Sequence, residues 1–175
     1  MSQNREQRVA DYRSDYATRA DFCQAFVNDA NRLFLLAFLL TTNHVDAERC
    51  FVLTVYHTFK PSAVFKGWVT SWIRRTLITC AIALVFGAFE RDRRKPDRWC
   101  VGQNEISSAI DAITRLADLD RFVFVMSVLE HYSVHECSLL LSCAAGTVVE
   151  SRKRALQDLP ALNNLGAVLD ASLLQ

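Results

Sequence analysis

The sequence predicts an all-α protein made of two small helical domains joined by a charged linker, the second domain a helix-turn-helix. Three observations carry this. Five Gly and three Pro in 175 residues are too few for the turns an all-β fold needs. Apolar residues recur at helical spacing along most of the chain. One composition break, Glu90 to Arg98, divides it. With 51% hydrophobic residues the chain collapses rather than staying disordered. The expected organisation is a polar segment over 1–20, a helical domain over 21–89, a linker over 90–104, a helix-turn-helix domain over 105–160 and a tail over 161–175.

The first helix is expected from Asp21 to Leu40. Phe22, Phe26, Ala30, Leu33, Ala37 and Leu40 form one helical face. Leu35, Leu36, Phe38 and Leu39 make its second half apolar all round, so it is deeply buried or covered by a partner. Asp46 is expected to cap the next helix, where Ala47, Cys50, Phe51, Thr54, Val55, Thr58 and Phe59 follow the same rule. Pro61 and Gly67 bound a break. A third helix is expected from about Trp68 to Phe89, because WVTSWIRR runs into TLITCAIALVFGAF without a turn signal.

Beyond the linker, Ile106, Ala109, Ile110, Ile113 and Leu116 place one face on a helix from Glu105 to Leu119. Another follows over Asp120 to His131. Ser133 caps a short helix, Val134 to Leu141. The turn Ser142-Cys143-Ala144 leads into Ala145 to Leu159, which Pro160 ends. A weak amphipathic pattern continues through Leu162, Leu165, Val168, Leu169 and Leu173.

Charge and composition exclude several classes of function. The net charge is +1, yet Phe22 to Asn104 holds eleven basic and six acidic residues, net +5, and Glu105 to Asp158 five and eight, net −3. No Gly-rich phosphate loop, HExxH or nucleophile elbow is present, so no catalytic residue and no cofactor is expected. Met1 to Ala20 is polar and charged, so no secretory signal is expected. The longest uncharged run, Thr76 to Phe89, is shorter than the roughly 20 residues of a spanning helix, so no membrane insertion is expected and the cytoplasm is the simplest location. The six cysteines form no CxxC pair and read as reduced core residues. A zinc site from His131, His135, Cys137 and Cys143 has no standard spacing, so no metal is expected.

Two short helices joined by a tight turn can place the second in a DNA major groove. Its N-terminal N–H groups suit phosphate, and Arg152, Lys153 and Arg154 suit phosphate or guanine. An ordinary surface helix with a basic end satisfies the same pattern. In the first domain, Arg74 and Arg75 lie beside Trp68 and Trp72, a combination suited to unstacked bases. Trp72 is expected in the core.

The stretch HYSVHECSLLLSCAAGTVVESRKRAL resembles the C-terminal helix-turn-helix of bacterial RNA polymerase sigma factors of the small extracytoplasmic-function type. Tyr132, Ser133, Glu136, Leu141, Gly146, Thr147, Val148, Arg154 and Ala155 fall in register. The preceding ITRLADLDRFVFVMSVLEHYS is similar to the family's earlier helices, with Leu116, Leu119 and Arg121 in place. Asp46, Ala47 and Glu48 match the family's A-E-D-x-x-Q motif, and Phe65 and Trp68 match its F-x-x-W. Departures are Arg49 for an acid, Val52 for Gln, Val149 for Lys, Ser151 for Arg, and Arg152 at a usually apolar position.

The resemblance implies a promoter-recognition subunit of RNA polymerase. Asp46, Glu48, Arg49 and Val52 would meet the polymerase core. Trp68, Arg74 and Arg75, with the loop Lys60 to Gly67, would meet opened promoter DNA. Ala145, Gly146, Thr147, Val149, Ser151, Arg152, Lys153 and Arg154 would meet duplex promoter DNA, and an anti-sigma protein is the implied regulator. Phosphate contacts dominate DNA affinity, so the acidic second domain should bind weakly alone. The alternatives are a diverged sigma-like protein acting through apolar Leu33–Leu40 and Thr76–Phe89 surfaces, a dimeric helix-turn-helix regulator, or a helical bundle unrelated to nucleic acid.

Overall fold

A computed structural model describes residues 15–59, 63–87 and 105–159, and these are helical with no strand. The expected linker over 90–104, the tail over 161–175, most of the N-terminal segment, Cys100, Pro61 and Pro160 lie outside the described residues.

The predicted Asp21–Leu40 helix is two helices, α1 (Arg19–Asn28) and α2 (Ala30–Thr41). Asp29, at φ −107° and ψ 12°, bends the chain between them. Asn28 and Asp29 compete for backbone hydrogen bonds and favour helix ends, which periodicity does not register. The ladder survives the bend: Asp29 N–H donates to Ala25 O at 3.0 Å, and Leu33 N–H to Asp29 O at 2.9 Å. A capping box starts α1, with Thr18 Oγ1 accepting from Asp21 N–H and the Asp21 carboxylate accepting from Thr18 N–H at 2.7 Å.

α3 (His44–Thr58) is capped by Asn43, not Asp46. Asn43 Oδ1 accepts from Asp46 N–H at 2.8 Å, and Asn43 Nδ2 donates to the Asp46 carboxylate at 2.7 Å. Asp46 therefore sits one turn in, where a carboxylate favours the helix dipole. Ala47, Cys50, Thr54 and Thr58 are buried as the spacing predicts.

A 3₁₀ turn (Lys66–Trp68) leads into α4 (Val69–Phe86), which is helical throughout. It ends at Phe86 rather than Phe89. Gly87 makes the exit possible, because a Cβ there would stand 2.2 Å from Ala83 O. The uncharged run understates this stretch: Lys66–Phe86 is long and apolar enough, by length and composition, to cross a membrane. In the fold its Val69, Ile73, Leu77, Ile78 and Ala81 are buried, and α4 packs on α1, α2 and α3.

In the rear half, α5 (Glu105–Thr114) is shorter than predicted, and Leu116 is buried in the turn that follows. α6 (Asp118–Phe124) runs into a π-helical turn (Val125–Leu129). α7 (Val134–Leu140) and α8 (Ala145–Asp158) complete the described chain. α6 and α7 both pack on α8.

The apolar second half of α2 is covered from within the chain. Leu33 and every residue from Leu35 to Leu40 are buried. α3 and α4 lie against α2 from the front half; α5, α6 and the π-helical turn lie against it from the rear half. Leu33–Leu40 is therefore not a free surface for a partner. The buried apolar side chains of both halves form one contiguous cluster. Phe86 and Phe122 meet edge-on across the seam, ring centres 5.0 Å apart.

The seam has a polar core at Arg121, which is 3% exposed. Its Nε and Nη2 donate to Leu40 O at 3.3 and 3.1 Å, and Nη1 donates to Leu116 O at 3.0 Å. Nη2 also pairs with Asp118 at 2.7 Å. Leu40 O belongs to the last turn of α2, where carbonyls lack intrahelical partners and a cation is favoured. The rear half thus caps a front-half helix.

Of the described cysteines, Cys50, Cys80 and Cys137 are buried and Cys143 is half-buried. Cys23 is exposed, contrary to the core reading, because it lies off the Phe22–Phe26 face of α1. Among the described residues no cluster of metal-ligating side chains occurs.

Candidate nucleic-acid interface

The geometry of α8 begins at Ser133. Its Oγ accepts from Glu136 N–H at 3.2 Å, and the Glu136 carboxylate accepts from Ser133 N–H at 2.9 Å. This capping box fixes the start of α7. The Ser133 hydroxyl and backbone N–H hold the Glu136 carboxyl below its usual range. α7 ends in a Schellman motif, with Cys143 N–H donating to Ser138 O at 3.1 Å and Ser142 N–H to Leu139 O at 3.4 Å. Ser142 takes the left-handed position at φ 51°, where glycine is usual. The turn then delivers Ala144, extended, as the first residue outside α8.

α8 divides cleanly. Val148, Ser151 and Ala155 are buried, at i, i+3 and i+7, and α8 packs on α6. Ala145, Gly146, Thr147, Val149, Arg152 and Lys153 are exposed. A Cβ on Gly146 would meet nothing within 4 Å, so that glycine leaves open space beside the helix start.

Two expected DNA-facing residues have partners within the chain: Ser151 is buried, while Arg154 stays exposed. Ser151 is turned inward and donates to the Asp120 carboxylate. Arg154 pairs with the same carboxylate, with Nε at 3.0 Å and Nη2 at 2.7 Å. Both reach back to α6 because Ser151 lies in the buried Val148–Ala155 stripe and Arg154 lies beside it. Asp120 had no sequence signal, since its partners lie 31 and 34 residues on. The Arg154 guanidinium, opposed by burial and helped by Ser151, holds the Asp120 carboxyl below its usual range.

The front half presents an aromatic cluster. An isolated antiparallel bridge joins Tyr16 to Phe65, with Ala17 N–H donating to Val64 O at 2.7 Å and Lys66 N–H to Asp15 O at 2.9 Å. The Tyr16 and Phe65 rings stack at 4.7 Å, and Trp68 meets Phe65 edge-on at 5.7 Å. Trp68 is 67% exposed. Trp72 is also exposed, at 40%, rather than in the core; it lies one turn after Trp68, while the buried line runs Val69, Ile73, Leu77. With His57, Arg75, Thr76, Thr79 and Cys80 it lines an open groove of about 340 Å³. Arg75 is exposed, whereas Arg74 is half-buried and pairs with Glu130 at 3.3 Å.

On α3, Glu48, Arg49 and Val52 are exposed and Asp46 is half-buried. Val45 and Tyr56, at 53% and 65% exposure, extend the same outward stripe. Val45, Arg49, Val52 and Tyr56 step by four, three and four, a spacing that was available in the sequence.

No protein-family model matches this chain, and no curated protein matches it. Among solved structures it is similar to the sigma factor RpoE of Bartonella quintana, determined in complex with the anti-sigma factor NepR. The two share 19% identity, the match covers 81% of this chain and 96% of that chain, and the TM-score is 0.49.

Proposed function

We propose that this chain is a sigma-factor-like protein that joins RNA polymerase core and directs it to promoter DNA. The observation that carries the reading is the division of α8, together with the motif residues around it. The resemblance of HYSVHECSLLLSCAAGTVVESRKRAL to a sigma-factor helix-turn-helix supports reading α8 as a recognition helix. Its Ala145, Gly146, Thr147, Val149, Arg152 and Lys153 are exposed while Val148, Ser151 and Ala155 anchor it. In the reading, Arg152 and Lys153 meet phosphates, and Thr147 and Val149 face base edges.

The front half contributes the exposed Trp68 and Arg75 to single-stranded DNA. The outward stripe of α3, with Glu48, Arg49 and Val52, meets the polymerase core. An anti-sigma protein is the expected regulator, the cytoplasm the expected location, and no cofactor is assigned.

The test is reconstitution with core polymerase on a genomic fragment library. A sigma-like protein co-purifies with core and yields run-off transcripts from a defined subset of fragments; absence of both rejects the reading. Replacing Arg152 and Lys153 with Ala should flatten the salt dependence of duplex binding by about 0.9 per lost phosphate contact. Arg154→Ala should flatten that slope less, since its half-exposed guanidinium is already paired with Asp120.

A further inference from the structure

The sequence reading places Arg74 and Arg75 together on a nucleic-acid face, but the fold treats them differently. Arg75 is exposed. The Arg74 guanidinium, 29% exposed, lies 3.3 Å from the Glu130 carboxylate, itself 14% exposed, 56 residues later in the chain. Glu130 ends the π-helical turn, its N–H donating to Val125 O at 3.0 Å. His131 follows in the left-handed region at φ 59°. This backbone turn brings Glu130, Tyr132 and Glu136 to one side of a cavity of about 310 Å³, with Ser71, Arg74 and Arg75 on the other. Two acidic side chains of the net-negative half therefore face two basic side chains of the net-positive half. The Arg121–Leu40 contact and the Phe86–Phe122 pair hold the halves in that register.

We propose that the rear half is an intramolecular cover for the basic edge of α4, with Glu130 occupying Arg74 so that a nucleic-acid strand must displace it to use that residue. The proposal rests on the nucleic-acid reading of α4. Its physical basis is competition for one guanidinium: a phosphate and the Glu130 carboxylate are both anionic acceptors for the same donors. The partly buried carboxylate is screened by salt less than an exposed one would be. Arg75 lines the same cavity but is exposed, so it stays accessible in the closed form.

The experiment measures binding of a dye-labelled oligothymidine by anisotropy across a salt series, using the full chain. Glu130→Gln keeps the side-chain shape and removes the competing charge. It should tighten binding several-fold at low salt and steepen the salt dependence by about 0.7, one added phosphate contact on a single strand. Arg74→Ala should change wild-type affinity little, yet abolish the gain in the Glu130→Gln background, a coupling that a double-mutant cycle isolates. Arg75→Ala should weaken binding in both backgrounds, which reports on the face itself.

The cover is overturned if wild type binds and Glu130→Gln brings no gain. It is equally overturned if Arg74→Ala weakens wild type as much as it weakens the Glu130→Gln variant. If no form binds the strand at all, the nucleic-acid reading of α4 falls and takes the cover with it. Binding by Glu130→Gln but not by wild type is the strongest supporting result. Circular dichroism of each variant confirms that helix content is retained.

Discussion

Replacing Arg121 with Met is the sharpest test of how the two halves are held together. Methionine keeps much of the apolar stem and removes the guanidinium. Leu40 O and Leu116 O then lose the Arg121 donors. A buried acceptor left unpaired costs about 1–3 kcal/mol. Two opposing effects reduce the sum. The variant no longer desolvates a guanidinium, which is itself expensive. Asp118, with its side chain 47% exposed, is rehydrated rather than stranded. The net loss should be about 2–3 kcal/mol, a large share of the roughly 5–15 kcal/mol of an ordinary domain. Urea denaturation followed by circular dichroism measures it as a lower midpoint at unchanged slope. A drop in melting temperature of roughly 4–12 °C should accompany it. If the halves uncouple, the single transition splits in two. A loss below about 0.5 kcal/mol, with one transition retained, would refute the view that this contact holds the seam.

Three further outcomes are expected. Asp120 has a folded pKa depressed from the usual 3.8, chiefly by Arg154, so it contributes stability that is full above that value and is lost as pH falls through the lower folded value. Asp120→Asn should flatten this acid limb in a pH series of urea midpoints; an unchanged limb would count against the network. Burial pushes the Cys50 thiol up to about 12, while Cys23 is exposed. Iodoacetamide on the native protein, read by mass spectrometry, should label Cys23 first and Cys50 only after denaturation; equal rates would contradict the packing of α3 on α4. Thr58 is buried, and its hydroxyl has no hydrogen-bond partner among the described residues. Thr58→Val should therefore be neutral or stabilising by up to about 1 kcal/mol in the same denaturation assay, and a loss of more than that would mean the hydroxyl is paired.

Helix identity was legible where the signal is local. The spacing of Ala47, Cys50, Thr54 and Thr58 depends on 3.6 residues per turn, and those four are buried. The Ser133–Glu136 box spans three residues and was readable as a cap. Helix boundaries were less so. Asp29 bends a pattern that periodicity carries straight through, and Asn43 takes the cap that Asp46 seemed to offer. Both are contests among neighbouring polar groups, which an apolar pattern does not record. Trp72 was misread because tryptophan is apolar by composition, whereas its exposure depends on its angle around α4.

The sequence by itself determined the helical class and most of the faces that the helices bury. These follow from short-range periodicity, capping and residue type. Tertiary structure alone decided which charges are paired. Arg154 is held by Asp120, Arg74 by Glu130, and Arg121 by a carbonyl 81 residues earlier. Such pairings depend on which helices pack together, and an arginine in a sequence looks the same whether it meets solvent, a carboxylate or the end of a helix.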